Sequence, residues 1–263
     1  MRTLTYVWHD CFVYEDKTNI IVFDFWKDTL SENNDTPIFI KNADKNKHLY
    51  VLVSHHHKDH FVKKIFEWEK LFRNVSYIIS KDVERSVKYL FNTKSFYKGI
   101  KPSPENVIVL SKGETFENDN FKVSAFGSTD IGNSYVIVVN NITLFHAGDL
   151  NAWIWKDEST NEEIQKALKD YEDILEDIYK KYKSFDLAMF PVDARMGRDY
   201  YEGARIFVSK FDIGHFFPMH FCLWENEKEE FLYKNGAVDF EKYANPERGE
   251  YIGLISPYSK FAF

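Results

Sequence analysis

The order of apolar and polar positions predicts mostly strands first, then strands alternating with helices. Residues 3–8, 11–14 and 19–25 are rich in β-branched and aromatic side chains, and the polar stretch 15–17 separates the second from the third, as turns separate strands. Residues 48–54 (HLYVLVS) are a short apolar run of the kind found in buried strands. Residues 62–72 place Val62, Ile65, Phe66, Trp68, Leu71 and Phe72 at helical spacing, which predicts an α-helix. A strand at 75–79 and a helix at 81–90 follow. Residues 107–110, 121–126, 134–139 and 142–146 form a second series of strands, with Asn140-Asn141 as a tight hairpin turn.

Residues 162–183 predict a long, charge-rich helix, capped by Ser159 or Thr160, with Glu162 and Glu163 in its first turn. Beyond it come a strand at 187–191, a helix at 203–211, a strand at 213–217 ending at Pro218, a helix at 227–234, a turn at 240–243 and a late strand at 252–255. No repeat, low-complexity tract or linker interrupts this order. The simplest architecture is one α/β domain spanning residues 1–263 and containing two sheets.

Composition narrows the function. A net charge of −7 and the lack of a long basic run argue against nucleic acid as the main partner, because phosphate binding needs clustered Lys and Arg. No run approaches the ~18 apolar residues of a membrane span, and the N-terminal MRTLTYVWHDCF lacks the apolar stretch of a signal peptide. The cytoplasm is the default expectation, a small molecule the expected partner, and a homo-oligomer is left open. Cys11 and Cys222 are too few for a disulfide framework. They read as buried, reduced thiols, with a chelating Cys222, two residues after His220, as the alternative.

The most informative stretch is Ser54-His55-His56-His57-Lys58-Asp59-His60. Four of the nine histidines of the chain fall in six residues, together with an aspartate. A metal site is the commonest physical reason to concentrate imidazole and carboxylate in this way. In extended backbone, residues i and i+2 share a face, so His55 and His57 can address one ion while His56 points away. Asp59 and His60, where the chain turns into the next helix, can reach a second.

These residues resemble the H-x-H-x-D-H motif of the metallo-β-lactamase superfamily. Four further stretches carry the resemblance from residue 8 to residue 220 in family order. Leu144-Phe145-His146-Ala147-Gly148-Asp149 resembles the element whose Asp bridges two metals. Pro218-Met219-His220 resembles the strand end that supplies the last histidine. Trp8-His9-Asp10-Cys11-Phe12 resembles an early element of the branch containing ascorbate-6-phosphate lactonase, and Phe23-Asp24 resembles the Asp that ends the following strand.

The resemblance implies a four-layer αββα sandwich with two divalent ions, Zn or Mn. It assigns His55 and His57 to the first ion, Asp59, His60 and His220 to the second, and Asp149 to the bridge. One departure stands out. The superfamily usually takes a third histidine for the first ion from the loop before the Asp149 strand, and residues 126–133 (FGSTDIGN) contain none. Asp130 is the nearest substitute. A carboxylate ligates Zn²⁺ at about 2.0–2.2 Å and adds oxygen character that suits Mn²⁺. Otherwise Asp130 caps a turn beside Gly132. His146 is a weaker ligand candidate, and His9 either binds metal or donates to a bound oxyanion.

The implied reaction is hydrolysis of a small anionic substrate, a phosphodiester or lactone. Two ions about 3.5–4 Å apart lower the pKa of a bridging water, so the nucleophile is a hydroxide that Asp59 helps orient. No G-x-S-x-G elbow points to a serine nucleophile. Asp24 reads as a partner for a ligand histidine or as a strand-end cap. Asn151, Trp153 and Trp155 follow Asp149 and could wall a substrate; both Trp could equally be buried packing. Arg195 could hold an anionic group, or brace its loop through Asp193. His48 is expected to face solvent, and Tyr200, Tyr201, His215 and Trp224 to lie in the core or at the rim. Two other readings stay open. One is a metal-binding ligand sensor or interaction module without hydrolytic activity. The other is an iron-dependent oxidoreductase of the same fold, a branch that normally carries an added flavin domain.

Overall fold

The computed structural model describes residues 1–31, 36–91, 101–242 and 249–263. They fall into two compact units, Met1–Leu110 with Ser256–Phe263, and Ser111–Ile255.

The first unit holds a seven-stranded mixed sheet. Its strands are β1 (Thr3–Trp8), β2 (Cys11–Glu15), β3 (Asn19–Phe23), β4 (His48–Val53), β5 (Asn74–Ser80), β6 (Val107–Leu110) and, from the end of the chain, β14 (Lys260–Ala262). Their order is β14-β1-β2-β3-β4-β5-β6. The pairings from β14 to β3 are antiparallel and those from β3 to β6 are parallel. β3 is buried along its whole length and β4 along all but His48, as expected of parallel strands covered on both faces.

The second unit mirrors that plan. Its strands are β7 (Thr115–Asn118), β8 (Phe121–Phe126), β9 (Ser134–Val139), β10 (Ile142–His146), β11 (Ser184–Pro191), β12 (Asp212–Met219) and β13 (Glu250–Tyr251). The order is β13-β12-β11-β10-β9-β8-β7, antiparallel from β7 to β10 and parallel from β10 to β13. Helix α3 (Asn161–Lys181) begins in a capping box between Thr160 and Glu163 and buries Tyr171, Ile174, Leu175 and Ile178, one face of a 3.6-residue repeat. Helix α4 (Glu202–Lys210) inserts Phe207 among Phe145, Phe190 and Phe211, with ring centroids 4.6–4.9 Å apart.

These directions place the chemistry. In the first unit β1, β3, β4 and β5 run the same way, so the segments after them lie at one edge of the sheet: His9-Asp10, Asp24, residues 54–60 and Asp82. In the second unit β8, β10, β11 and β12 share a direction, and their ends lead to residues 127–133, Asp149, Asp193 and His220. Ligand chemistry collects at the carboxyl ends of strands because loops there are free to vary on a rigid base.

Three predicted elements differ. The helix expected at 62–72 is a 3₁₀ helix over Lys63–Lys70. The Tyr77 hydroxyl accepts from Glu69 N (3.1 Å) and donates to Ile65 O (3.0 Å), standing between the two groups an α-helix would join directly. The helix expected at 81–90 is α2 (Lys81–Ser86) followed by a 3₁₀ turn, Lys88–Leu90. The late strand expected at 252–255 is instead Glu250–Tyr251; one more bond, Ile252 N to Phe216 O (2.8 Å), ends the pairing as Leu254 N turns back to Ile252 O. Of the turn expected at 240–243, Phe240–Lys242 forms a 3₁₀ turn and Tyr243 lies outside the described residues. Strands β7 and β14 and the short helix α1 (Ile38–Asn42) are additions to the predicted set. Among the described residues, no helix is long and apolar enough to cross a membrane.

Candidate metal-binding site

In the first unit the site is built around Asp24, which is 1% exposed. Its carboxylate accepts Ser54 N (2.7 Å), Ser54 Oγ (2.5 Å) and His60 Nδ1 (2.9 Å). The Ser54 hydroxyl gives its proton to Asp24, so at 2.9 Å it can only accept from His55 Nδ1. In their neutral forms both His55 and His60 therefore carry the proton on Nδ1 and present a lone pair at Nε2. This is how buried carboxylates and hydroxyls set the tautomer of metal-ligating histidines. His55 Nε2 lies 3.0 Å from His57 Nδ1. Two nitrogens bound to one ion at about 2.0–2.1 Å and a tetrahedral angle would be about 3.3 Å apart, so this pair is spaced to chelate.

The turn between β1 and β2 adds His9 and Asp10, both fully buried. His9 Nε2 lies 3.1 Å from Asp10 Oδ2 and 3.8 Å from Asp59 Oδ2, and His60 Nε2 lies 3.4 Å from the same Asp10 oxygen. His56 turns away as expected: its N and Nδ1 both bond Asp82 Oδ2, at 2.8 and 2.9 Å. Burial first, then Asp24, Asp28 and Asp10, push the Cys11 thiol well above its ordinary pKa, which leaves it a poor nucleophile.

The second unit repeats the device. His220 Nδ1 donates to Asp193 Oδ2 (2.9 Å), so in its neutral form Nε2 presents a lone pair 3.2 Å from Asp149 Oδ1. Asp193 is fully buried and also receives the Arg195 guanidinium through Nε (2.9 and 3.0 Å) and Nη2 (2.5 Å). Burial alone would push the Asp193 carboxyl up, but the hydrogen bonds from His220 and Arg195 and the charge of the guanidinium outweigh it and hold the carboxyl below its ordinary pKa. Asp149 follows a tight turn in which Gly148 N donates to His146 Nδ1 (3.2 Å), so His146 shapes the turn. Asp130 is exposed, with a carboxylate oxygen within 4.8 Å of one on Asp149.

The residues after Asp149 divide. Trp153 donates Nε1 to Asp149 O (2.8 Å) and sets its ring 5.4 Å from His220, beside the donors. Asn151 is fully buried, accepts from Ala152 N (2.8 Å), and packs so tightly on α4 that a Cβ at Gly203 would fall 1.8 Å from its Oδ1. Its side chain is thus committed to packing inside the unit and not to the substrate wall expected for it. Arg195 takes up the bracing arrangement with Asp193. Cys222 is buried and forms no disulfide among the described residues, and no metal-capable group of those residues includes it. His9, Asp24, Trp153 and His220, four of the eight described non-glycine residues at positive φ, all belong to these sets. Such strain concentrates where side chains are held for function.

Two residues escaped the sequence reading. Asp10 has no role of its own in the motif that contains it, and Asp193 reads along the sequence only as a partner for Arg195. Both sit at strand ends beside a candidate ligand, and that position was the available signal.

A family model described as the beta-lactamase superfamily domain matches residues 3–166, more than half of the chain. The chain belongs to that superfamily. Among solved structures, its metallo-β-lactamase fold is shared with a metallo hydrolase from the archaeon Ignicoccus hospitalis, at 16% identity, TM-score 0.61, and coverage of 100% of this chain and 99% of that one. A metallo-β-lactamase fold protein from Bacillus subtilis matches at 11% identity and TM-score 0.58 over 100% of both chains. A diiron β-hydroxylase from Streptomyces venezuelae matches at 11% identity and TM-score 0.61, covering all of this chain and 54% of that one. Likeness at these identities shows the fold alone, and proteins described as a hydrolase and as a hydroxylase share it. A comparison with curated proteins found no match.

Proposed function

We propose that this chain is a metal-dependent hydrolase acting on a small anionic substrate of the phosphodiester or lactone type. One observation carries the reading. His55, His60 and His220 each have Nδ1 committed to a buried acceptor and Nε2 turned toward another donor atom. A structural histidine has no need of this arrangement, and a metal ligand does. The donor set, mixed imidazole and carboxylate, fits Zn²⁺ or Mn²⁺. The residues that would hold two ions are those the superfamily resemblance implies: His55, His57, Asp59, His60, Asp149 and His220, with Asp130 in place of the third histidine. Divalent ions bound there would acidify water and polarise a substrate oxygen.

The residues of the chain supply the rest. The Asp59 side chain is 18% exposed, enough to be reached by solvent, and can orient water through the oxygen that does not bind metal. Trp153, tied to the Asp149 carbonyl, provides an apolar ring that limits water beside His220. Asp24 and Asp193 keep the imidazoles in the binding tautomer.

The test uses the full chain loaded with Zn²⁺ or Mn²⁺ and assayed on bis-p-nitrophenyl phosphate and a panel of lactones. Turnover should vanish on chelation, return with metal, and be absent in Asp149→Ala. Undiminished activity in that variant would overturn the role of Asp149. No turnover by fully loaded protein would favour a ligand sensor or the oxidative chemistry of the hydroxylase that shares the fold.

A further inference from the structure

We infer that His9 and Asp10 are metal ligands, adding an imidazole and a carboxylate to the donors Asp59 and His60 of the first unit. The inference rests on the reading that the protein binds divalent ions. It adds a carboxylate and an imidazole to the set that the resemblance implies.

The geometry points there in three ways. The spacings come first. Neighbouring donors bound to one ion at about 2.0–2.2 Å lie about 2.8–3.6 Å apart, from octahedral to tetrahedral angles. His9 Nε2 to Asp10 Oδ2 is 3.1 Å and His60 Nε2 to Asp10 Oδ2 is 3.4 Å, both inside that range, and Asp59 Oδ2 stands a little beyond it at 3.8 Å from His9 Nε2. The ligand atoms of His9, Asp59 and His60 all lie within 4.8 Å of one another.

Second, the His60 ring is held so that one nitrogen faces Asp10. Asp24 engages His60 Nδ1 at 2.9 Å, which directs Nε2 to the Asp10 carboxylate at 3.4 Å. A cation placed between His60 Nε2 and the Asp10 carboxylate would be bonded by both. Third, the backbone is shaped to deliver these groups. His9 sits at φ 57°, with its N–H donating to the Tyr6 hydroxyl (2.9 Å), in the two-residue turn that joins Trp8 to Cys11. That turn presents imidazole and carboxylate side by side.

A site with two carboxylates has more oxygen character than a histidine-dominated one. It therefore shifts preference from Zn²⁺ toward Mn²⁺ or Fe²⁺.

Two measurements on the full chain test this. Crystals grown with Mn²⁺ should give an anomalous peak within about 2.3 Å of His9 Nε2 and an Asp10 carboxylate oxygen. A peak bonded to Asp59 and His60 but beyond 3 Å from Asp10 would overturn the inference and leave the hydrolase reading intact. No metal peak anywhere would count against the hydrolase reading itself. In solution, Asp10→Asn should weaken Mn²⁺ binding at least about 10-fold, since even outer partners of ligands are worth that much, and Zn²⁺ binding less. Equal Mn²⁺ and Zn²⁺ affinities in wild type and variant would overturn it. Should Asp10→Asn fail to fold, His9→Gln carries the same comparison.

Discussion

Replacing Asp24 with asparagine should reset two histidines at once while barely touching the fold. The amide oxygen must stay opposite Ser54 N, which now donates at 2.7 Å, so the NH₂ takes the place of Oδ2. That position faces Ser54 Oγ at 2.5 Å and His60 Nδ1 at 2.9 Å, and both must turn from donors into acceptors. Ser54 then gives its proton to His55 Nδ1, 2.9 Å away. Both imidazoles end with their proton on Nε2, the atom that must bind metal. Shape and hydrogen-bond count are preserved, so the stability loss should be about 1–2 kcal/mol, the difference between charged and neutral bonds. A mis-set partner costs about 10–100-fold per ligand, so two ligands give a combined loss of about 10²- to 10⁴-fold in metal affinity. Nitrogen NMR of the metal-free protein reads the tautomers directly, and calorimetric titration reads affinity. An Asp24→Asn protein that keeps Nδ1 protonated and binds metal like wild type would refute the relay.

Two further changes probe the second unit. Gly203→Ala would place a methyl 1.8 Å from Asn151 Oδ1 and 2.9 Å from Ala152 N; the overpacking should cost about 1–3 kcal/mol, and an unchanged melting temperature would show that the 151–153 segment yields freely. Arg195→Ala removes the charge that helps hold the Asp193 carboxyl low, and should cost about 1–3 kcal/mol near pH 7. Because the folded-state pKa of Asp193 is depressed, its contribution is present above the unfolded value of about 3.9 and is lost as pH falls through the folded one. The gap between wild type and variant in denaturant melts should therefore close below about pH 4, and a gap constant from pH 7 to pH 3 would contradict the assignment.

The parts legible in the sequence are those where chemistry is dense along the chain. His55, His57, Asp59 and His60 lie within six residues after an apolar strand, and Asp149 and His220 each end a buried one. Their surroundings were harder to read because they depend on distant residues. Nothing local to residues 63–70 shows that the Tyr77 hydroxyl will stand in the helix ladder. Strands β7 and β14 lie at sheet edges and are largely exposed, so they carry little apolar pattern. Asn151 seemed placed for substrate by its nearness to Asp149; the absence of a side chain at Gly203, some fifty positions later, draws it inward. Asp10 and Asp193 gain meaning only once strand direction brings their turns beside His60 and His220.

The most direct measurement is the metal content of the full chain after chelation and reconstitution with Mn²⁺ or Zn²⁺, followed by X-ray absorption at the metal edge. The account predicts two ions per chain in a shell of imidazole nitrogen and carboxylate oxygen. Protein that retains no stoichiometric metal, or holds it through surface carboxylates without imidazole, would contradict it.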